Sequence, residues 1–474
     1  MKKSWVRLLI SLIKKLLASF VRFNVRLEGH RQRRLDYLMW GLETNENGYL
    51  MVGGCNSAEL AREYGTPLHV VDRNRLIANY YSFNESFKAF TTNVEVFYSY
   101  KTNTIPGVLR VLHQQGAGAE VVSPYELWLA LTLGVTPDRI IYNGICKPDE
   151  ALRTAIAKEI KLINIDSFGE IQRIEKISEE LGKSPRVGLR VHTGVGGTDQ
   201  FGFRIESGEA FQGFKQCARA KHLKVCGMHT HLGSGLKDVY KYVAAIKIML
   251  RLAKDIKEKL GIDIEYFDLG GGFGVPTVRS FGTLEYMFYW TLGRFPKAPK
   301  AEDCPPISRF AKHIVDHLNE GCTMYNLKNP ILHLEPGRAI TSNAQILLIE
   351  VGEIKHKHDK IKTVIVNGSR NIAYPVIWEY HEVFLANKMS ERNEEIYRIA
   401  GPACYKEDLL YSYKKLPRLE EGDILAVMDA GAYFILFSQD FNIPQPPVVI
   451  VSNGKHGLIR QRESYQYMVE LNDF

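Results

Sequence analysis

The chain has no C-x-x-C pair. Its seven cysteines stand singly at 55, 146, 217, 226, 304, 322 and 404. That spacing excludes a zinc knuckle or a dithiol redox site, and the odd count fits reduced thiols in a cytosolic protein. Acidic residues are scarce at the start. Residues 1–35 carry ten Lys and Arg against Glu28 alone, a charge of +9, which leaves residues 36–474 at −1 of the total +8. The basic balance is therefore local, and no nucleic-acid footprint extends over the body. Long apolar runs are missing from this same segment, "MKKSWVRLLISLIKKLLASFVRFNVRLEG", whose unbroken apolar stretches are two or three residues long. It cannot span a bilayer.

What the segment has instead is a period. Polar residues fall at 3, 7, 11, 14, 15, 19, 22 and 26, a helical spacing, with Trp, Leu, Ile, Val and Phe opposite. We expect a cationic amphipathic helix over residues 1–27, suited to peripheral contact with a membrane surface. A helix docked on the body or on a partner subunit competes with this reading, as does an organellar transit peptide. Lys14 and Lys15 disfavour a cleaved secretory signal.

The rest is ordinary globular material, 45% hydrophobic and 24% charged over 474 residues, enough for one barrel plus a smaller domain. From about residue 68, β-rich runs alternate with helical stretches: 68–71, 94–100, 119–122, 139–143, 161–166, 186–192, 224–231, 265–270 and 330–335. Repeated βα units of this length imply a parallel sheet, and about eight imply a closed (β/α)₈ barrel. Nine are present, so one early run belongs elsewhere. After about residue 340 short runs such as "KTVIVN" and "PPVVIVSN" read as an antiparallel β domain. The expected division is an N-terminal segment 1–35, a strand and helix at 36–75 contributing to the β domain, a barrel at 76–340 and a β domain at 341–474. Residues 276–304 read as an insertion before the last barrel strand.

Unusual residues follow the strands: Lys101, Arg190, "HTHLGSG" (229–235), "LGGGFG" (269–274) and "EPGR" (335–338). In a barrel these ends share one face, where active sites are built. A lysine there usually marks the return to solvent, but it can also anchor a carbonyl cofactor covalently. The glycine run lets backbone N–H groups approach an anion, and it lacks the G-x-G-x-x-G spacing of a dinucleotide site. His229 and His231 could ligate a metal with Glu335 and with His333, which points to the same face as Glu335. The competing reading, a flat ring against a planar cofactor, is preferred, and no metal centre is expected. Glu335 beside Arg338 is an ion pair, or the anion that keeps the ring nitrogen of pyridoxal 5'-phosphate (PLP) protonated.

With "YSYKTN", "GAEVVSPYEL", "HTHLGSG", "LGGGFG", "EPGR", "GPACYKED" and "DAGAY" in that order, residues 48–470 resemble the fold-type III PLP decarboxylases, the ornithine and diaminopimelate decarboxylase family. The resemblance implies a (β/α)₈ barrel plus a C-terminal antiparallel β domain, PLP as cofactor, and a head-to-tail homodimer with shared active sites. It implies Lys101 as covalent anchor, His231 against the pyridine ring, and Ser234, Gly270, Gly271 and Gly272 around the phosphate. Glu335 would meet the ring nitrogen, Arg338 the phosphate or the substrate carboxylate, and Tyr433 both phosphate and substrate. Cys404 would be the acid that protonates the α-carbon from the second subunit.

The departures bear on substrate. Diaminopimelate decarboxylases carry "CES" where this chain has "CYK", so Tyr405 replaces the Glu that reads the distal amino centre. Their "MNDLIRPALY" aligns with a stretch that has Tyr374 for the Arg and Trp378 for the Tyr. The "CD" of ornithine decarboxylases is absent too. Milder departures are Thr102 for Ala, Glu120 for Asp and Gln200 for Lys. The expectation is decarboxylation of a modified or bulky diamino acid rather than meso-diaminopimelate. An N-citryl diamino acid of siderophore or polyamine metabolism is one candidate, with Lys406 near the altered pocket. A PLP racemase is disfavoured by Glu335 and Cys404. A silent decarboxylase-like binding protein is disfavoured by retention of Lys101 and Cys404.

Overall fold

Eight of the β-rich runs pair in parallel and close on themselves. They are β1 (Val94–Ser99), β2 (Gly118–Val121), β3 (Ile140–Tyr142), β4 (Leu162–Ile165), β5 (Arg186–His192), β6 (Lys224–His229), β7 (Tyr266–Asp268) and β8 (Ile331–Leu334). Each pairs with the next, and β8 pairs with β1. This computed structural model describes residues 2–31, 34–196, 200–355, 361–392 and 394–472.

The helices between the strands start where the sequence supplies caps. "SPYE" and "SFGE" each put a serine before a helix and a glutamate three residues on. Ser123 accepts from the Glu126 N–H and Ser167 from the Glu170 N–H. The glutamates reach back in turn, Glu126 to the Val122 N–H and Glu170 to the Asp166 N–H, so orphan helix donors are satisfied in both directions. Within the barrel, beneath the residues that follow the strands, Phe97, Ile141, Leu162, Cys226 and Tyr266 pack as a buried plug. Each large side chain buried in this way contributes about 1.5–3 kcal/mol. Arg139 lies over Phe97, and Lys161 and Arg186 lie over Tyr266. The barrel is thereby closed at one end, and its chemistry is confined to the other.

The chain divides into two compact units. The barrel unit is residues 73–275 and 302–342; the β unit is 1–72, 276–301 and 343–474. The early run at 68–72 is the ninth strand. It lies in the β unit, antiparallel to 345–355 and parallel to 448–452. Most pairings there are antiparallel, with a second parallel pair between 362–366 and 394–400. Residues 276–301 belong to the same unit because Arg279 and Ser280 pair with Tyr380 and Glu379. They carry a helix, Thr283–Leu292, rather than a plain loop.

The N-terminal segment is helical from Lys2 to Arg31. Its last turns seat on the β unit. Val25 is fully buried against Phe295 and Tyr413, with Val21 and Ile396 alongside.

Candidate active site

β1 stops at Ser99, and a 3₁₀ turn over Tyr100–Thr102 presents Lys101 at the open end of the barrel. The Lys101 Nζ donates to Glu120 Oε2 and Oε1 at 3.0 and 3.2 Å. Glu120 stands opposite Ser99 in the β1–β2 register, and the Ser99 hydroxyl donates to Glu120 Oε2 at 2.5 Å. Asn143, just past β3, continues the line. Its amide donates to Glu120 Oε1 at 3.0 Å and to Glu335 Oε1 at 2.5 Å, and its oxygen accepts from Asn164 at 2.7 Å. Both hydrogens of one carboxamide are thus committed to two carboxylates. That fixes the spacing between the lysine's partner and the glutamate across the barrel mouth.

Glu335 follows β8, and its backbone N–H donates to Gly270 O at 2.9 Å. His229 Nε2 stands 3.6 Å from its carboxylate. His229, Asp268 and Glu335 are all buried, with one ligand-type atom of each within 4.8 Å of the others. Two adjacent buried carboxylates cannot both ionise. Burial, then Glu335, pushes the Asp268 carboxyl well above the usual range. Burial opposes ionisation of Glu335 too, but His229, and then Lys101, outweigh it and hold this carboxyl below its ordinary value. The proton therefore stays on Asp268, and Glu335 is the anion.

The loop 231–235 and the glycine run interlock. The Leu236 N–H donates to Gly272 O at 2.7 Å, and the Gly274 N–H to Leu236 O at 2.8 Å. A side chain at Gly270 would strike His231 Nδ1 at 2.7 Å, and its φ of +65° is left-handed, so glycine is required there. Burial, followed by the Lys101 charge, lowers the His231 pKa to about 3. Its Nδ1 accepts from the Gly271 N–H at 3.3 Å. The ring is therefore neutral. Ser234 is exposed at the loop's tip, and Arg338 is buried in the turn after Gly337. The Ser99 N–H donates to Pro336 O at 3.2 Å, which ties that turn to the lysine's strand. Arg190 caps the Phe201 ring at 4.2 Å.

Three buried polar groups here carried no motif of their own: Asn143, Asn164 and Asp268. His333 shares the inward face with Glu335, as expected, but lies a layer deeper in the barrel, 3.1 Å from Glu95 and packed on Phe97 and Tyr266. The residue that joins His229 and Glu335 is Asp268 instead, because two residues along a strand keep the face but change the depth.

Glu126 borders this network. Burial, then the Glu120 charge, raises its pKa from 4.5 to about 7. Between those values the folded state keeps a proton that the unfolded chain releases, so stability falls as pH rises through that window, by up to about 3 kcal/mol. Urea midpoints should drop from about pH 5 to about pH 8, and Glu126→Gln should flatten that drop. An unchanged drop in the variant would show the burden lies elsewhere.

The remaining expected residues lie in the β unit. Cys404 is exposed at a left-handed φ of +41°, a conformation that costs a non-glycine residue energy and clusters at functional sites. Asp408 holds its loop by accepting from Ala403 N–H at 2.7 Å, Arg370 N–H at 2.7 Å and Ser369 Oγ at 3.0 Å. Tyr374 and Trp378 meet edge to face at 4.8 Å. Phe437 joins both of them to Tyr433. Tyr405 donates to Asn371 Oδ1 at 2.7 Å and packs on Phe441. Phe437 and Phe441 were not legible, because they come from a run with no motif.

Residues 74–342 match the family described as pyridoxal-dependent decarboxylase, pyridoxal binding domain. The chain belongs to this family. It is 32% identical to the diaminopimelate decarboxylase of Methanothermobacter thermautotrophicus, over 90% of this chain and 95% of that protein. It is 30% identical to the diaminopimelate decarboxylase of Bacillus subtilis, over 90% and 96%. Among solved structures, the diaminopimelate decarboxylase of M. jannaschii superposes with a TM-score of 0.81 at 28% identity, covering 92% of this chain and 99% of that one. This decarboxylase uses PLP, and the barrel mouth fits it: a lysine amine, an anionic Glu335, a neutral His231 ring and a glycine cradle that admits no Cβ.

Proposed function

We propose that this PLP-dependent carboxy-lyase removes CO₂ from the α-carbon of a modified or bulky diamino acid, and that it works as a homodimer with shared sites. Bound PLP supplies the electron sink for the carbon–carbon bond that breaks. Lys101 is its covalent anchor and Glu335 the anion at its ring nitrogen. His231 would lie against the ring, Ser234 and Gly270–Gly272 would hold the phosphate, Arg338 would reach the phosphate or the substrate carboxylate, and Tyr433 would contact both phosphate and substrate. Cys404 of the second subunit delivers a proton to the α-carbon. Peripheral contact of residues 1–27 with a membrane surface belongs to the same reading.

The observation that supports the substrate class is the aromatic surface of Tyr374, Trp378 and Tyr405. It stands where relatives that act on diaminopimelate carry charged and polar groups. A site built to pair a charged distal end rejects analogues lacking it, because buried polar groups left unpaired are costly. Here the pairing groups are gone, and the nearby cations are Arg370, 5.7 Å over Tyr374, and Lys406. An N-acylated diamino acid whose acyl group carries carboxylates, such as an N-citryl one, meets both features. CO₂ release should be measured across meso-diaminopimelate, lysine, ornithine and N-acyl diamino acids. The acylated substrates should lead in kcat/KM by about 10-fold or more, the scale set by matched distal contacts. Diaminopimelate as the best substrate would overturn the assignment of these three positions.

A further inference from the structure

The N-terminal helix docks with the wrong face for a simple docking helix. At about 100° per residue, Val21, Val25 and Gly29 share one side, and that side meets the β unit. Val25 packs on Phe295 and Tyr413, and Gly29 lies against Ile396. Roughly opposite lie Leu12, Ile13, Leu16, Leu17, Phe20, Phe23 and Leu27. These are 39–63% exposed, the largest apolar stripe on the molecule's described surface in sequence continuity. From Leu12 to Leu27 it runs about 22 Å at ~1.5 Å per residue. Docking has used the small residues and left the large ones in water.

Lys15, Arg22 and Arg26 fall along one border of the stripe, and among the first 35 residues only Glu28 is acidic. An apolar face edged by cations is the pattern that lies in the headgroup layer of an anionic bilayer. A second copy of this helix is a poorer occupant, because it would bring the same basic border against itself. We propose that this stripe seats the enzyme on anionic lipid, with the β unit fixing the helix by its opposite side. This rests on the peripheral-contact reading of residues 1–27 and adds the face and the lipid charge to it.

The full-length protein should be sedimented with phosphatidylcholine vesicles and with phosphatidylcholine–phosphatidylglycerol vesicles. Binding should be confined to the second and fall with salt. Leu16→Asp with Phe20→Asp should abolish it while leaving melting temperature and decarboxylation unchanged, since both side chains are exposed. Neutralising Lys15, Arg22 and Arg26 to Gln should weaken binding roughly 100-fold, at about a factor of five per basic residue. Equal binding to both vesicle types would remove the anionic requirement and leave peripheral contact standing. Binding to neither would overturn both. A lower oligomeric state of the Asp variant in vesicle-free buffer would make the stripe a protein interface and defeat the proposal.

Discussion

Replacing Lys101 with alanine is expected to leave the purified protein colourless and to lower decarboxylation about 10⁴-fold, the upper end for a positioned proton-transfer group. The wild-type enzyme should be yellow, and borohydride should fix the cofactor to the peptide that contains Lys101. The loss is large because no other lysine amine is described at the barrel mouth. Lys147 is buried and committed to Glu170 at 3.0 Å, to Gly144 O and to Asn164 O. Lys101→Arg separates two roles. It keeps a cation for Glu120 but has no nucleophilic amine, so it should hold the network and still fail to fix cofactor. Borohydride fixation at a different lysine would refute the assignment.

Cys404→Ala should keep the yellow colour and lose about 10²–10⁴-fold in turnover, the range for removing a positioned acid. Some product should divert to aldehyde, because the α-carbon would no longer be protonated in place. The shared-site reading adds a sharper outcome. Neither Lys101→Ala nor Cys404→Ala dimers should turn over alone, yet equal mixing should give hybrids with one intact site. Activity should recover to about a quarter of wild type, since half the dimers are hybrid and each has one good site. No recovery, with subunit exchange demonstrated by mass, would place the acid within the same subunit or on another residue.

Much of the site was readable from the chain because a closed barrel converts sequence position into location. A residue just after a β-rich run lies at the open mouth whatever the details of the fold. Lys101, His231, Gly270–Gly272 and Glu335 all follow that rule, and so all four elements meet. Parity gives the face of a strand residue and leaves open which partners meet it at that depth. His333 and Glu335 share a parity and both point inward, yet one packs in the plug and the other joins the anion network, because two residues along a strand move a side chain one layer through the barrel. Asn143 was invisible for a different reason. An asparagine after a strand is an ordinary turn residue until a carboxylate from the neighbouring strand and one from across the barrel are seen to claim both its hydrogens.

The N-terminal helix divides in the same way. Its period, its charge and its inability to cross a bilayer are properties of order along the chain, and spacing alone establishes them. Which side it buries is not, because Val21, Val25 and Gly29 look weak beside the leucines and phenylalanines. The choice was made by the shape of the β unit around Gly293, where a β-carbon would strike Val25. The eightfold βα repeat, the second β domain, the residues at the strand ends and the family chemistry are all legible along the chain, because each depends on local period and motif order. Long-range packing sets that Glu335 rather than Asp268 carries the charge. It alone decided that Asn143 spans the two halves of the site, and that the helix leaves its large apolar face outward. Those outcomes depend on side chains from separate strands competing for one proton, one amide or one groove, and no spacing along the chain encodes such a contest.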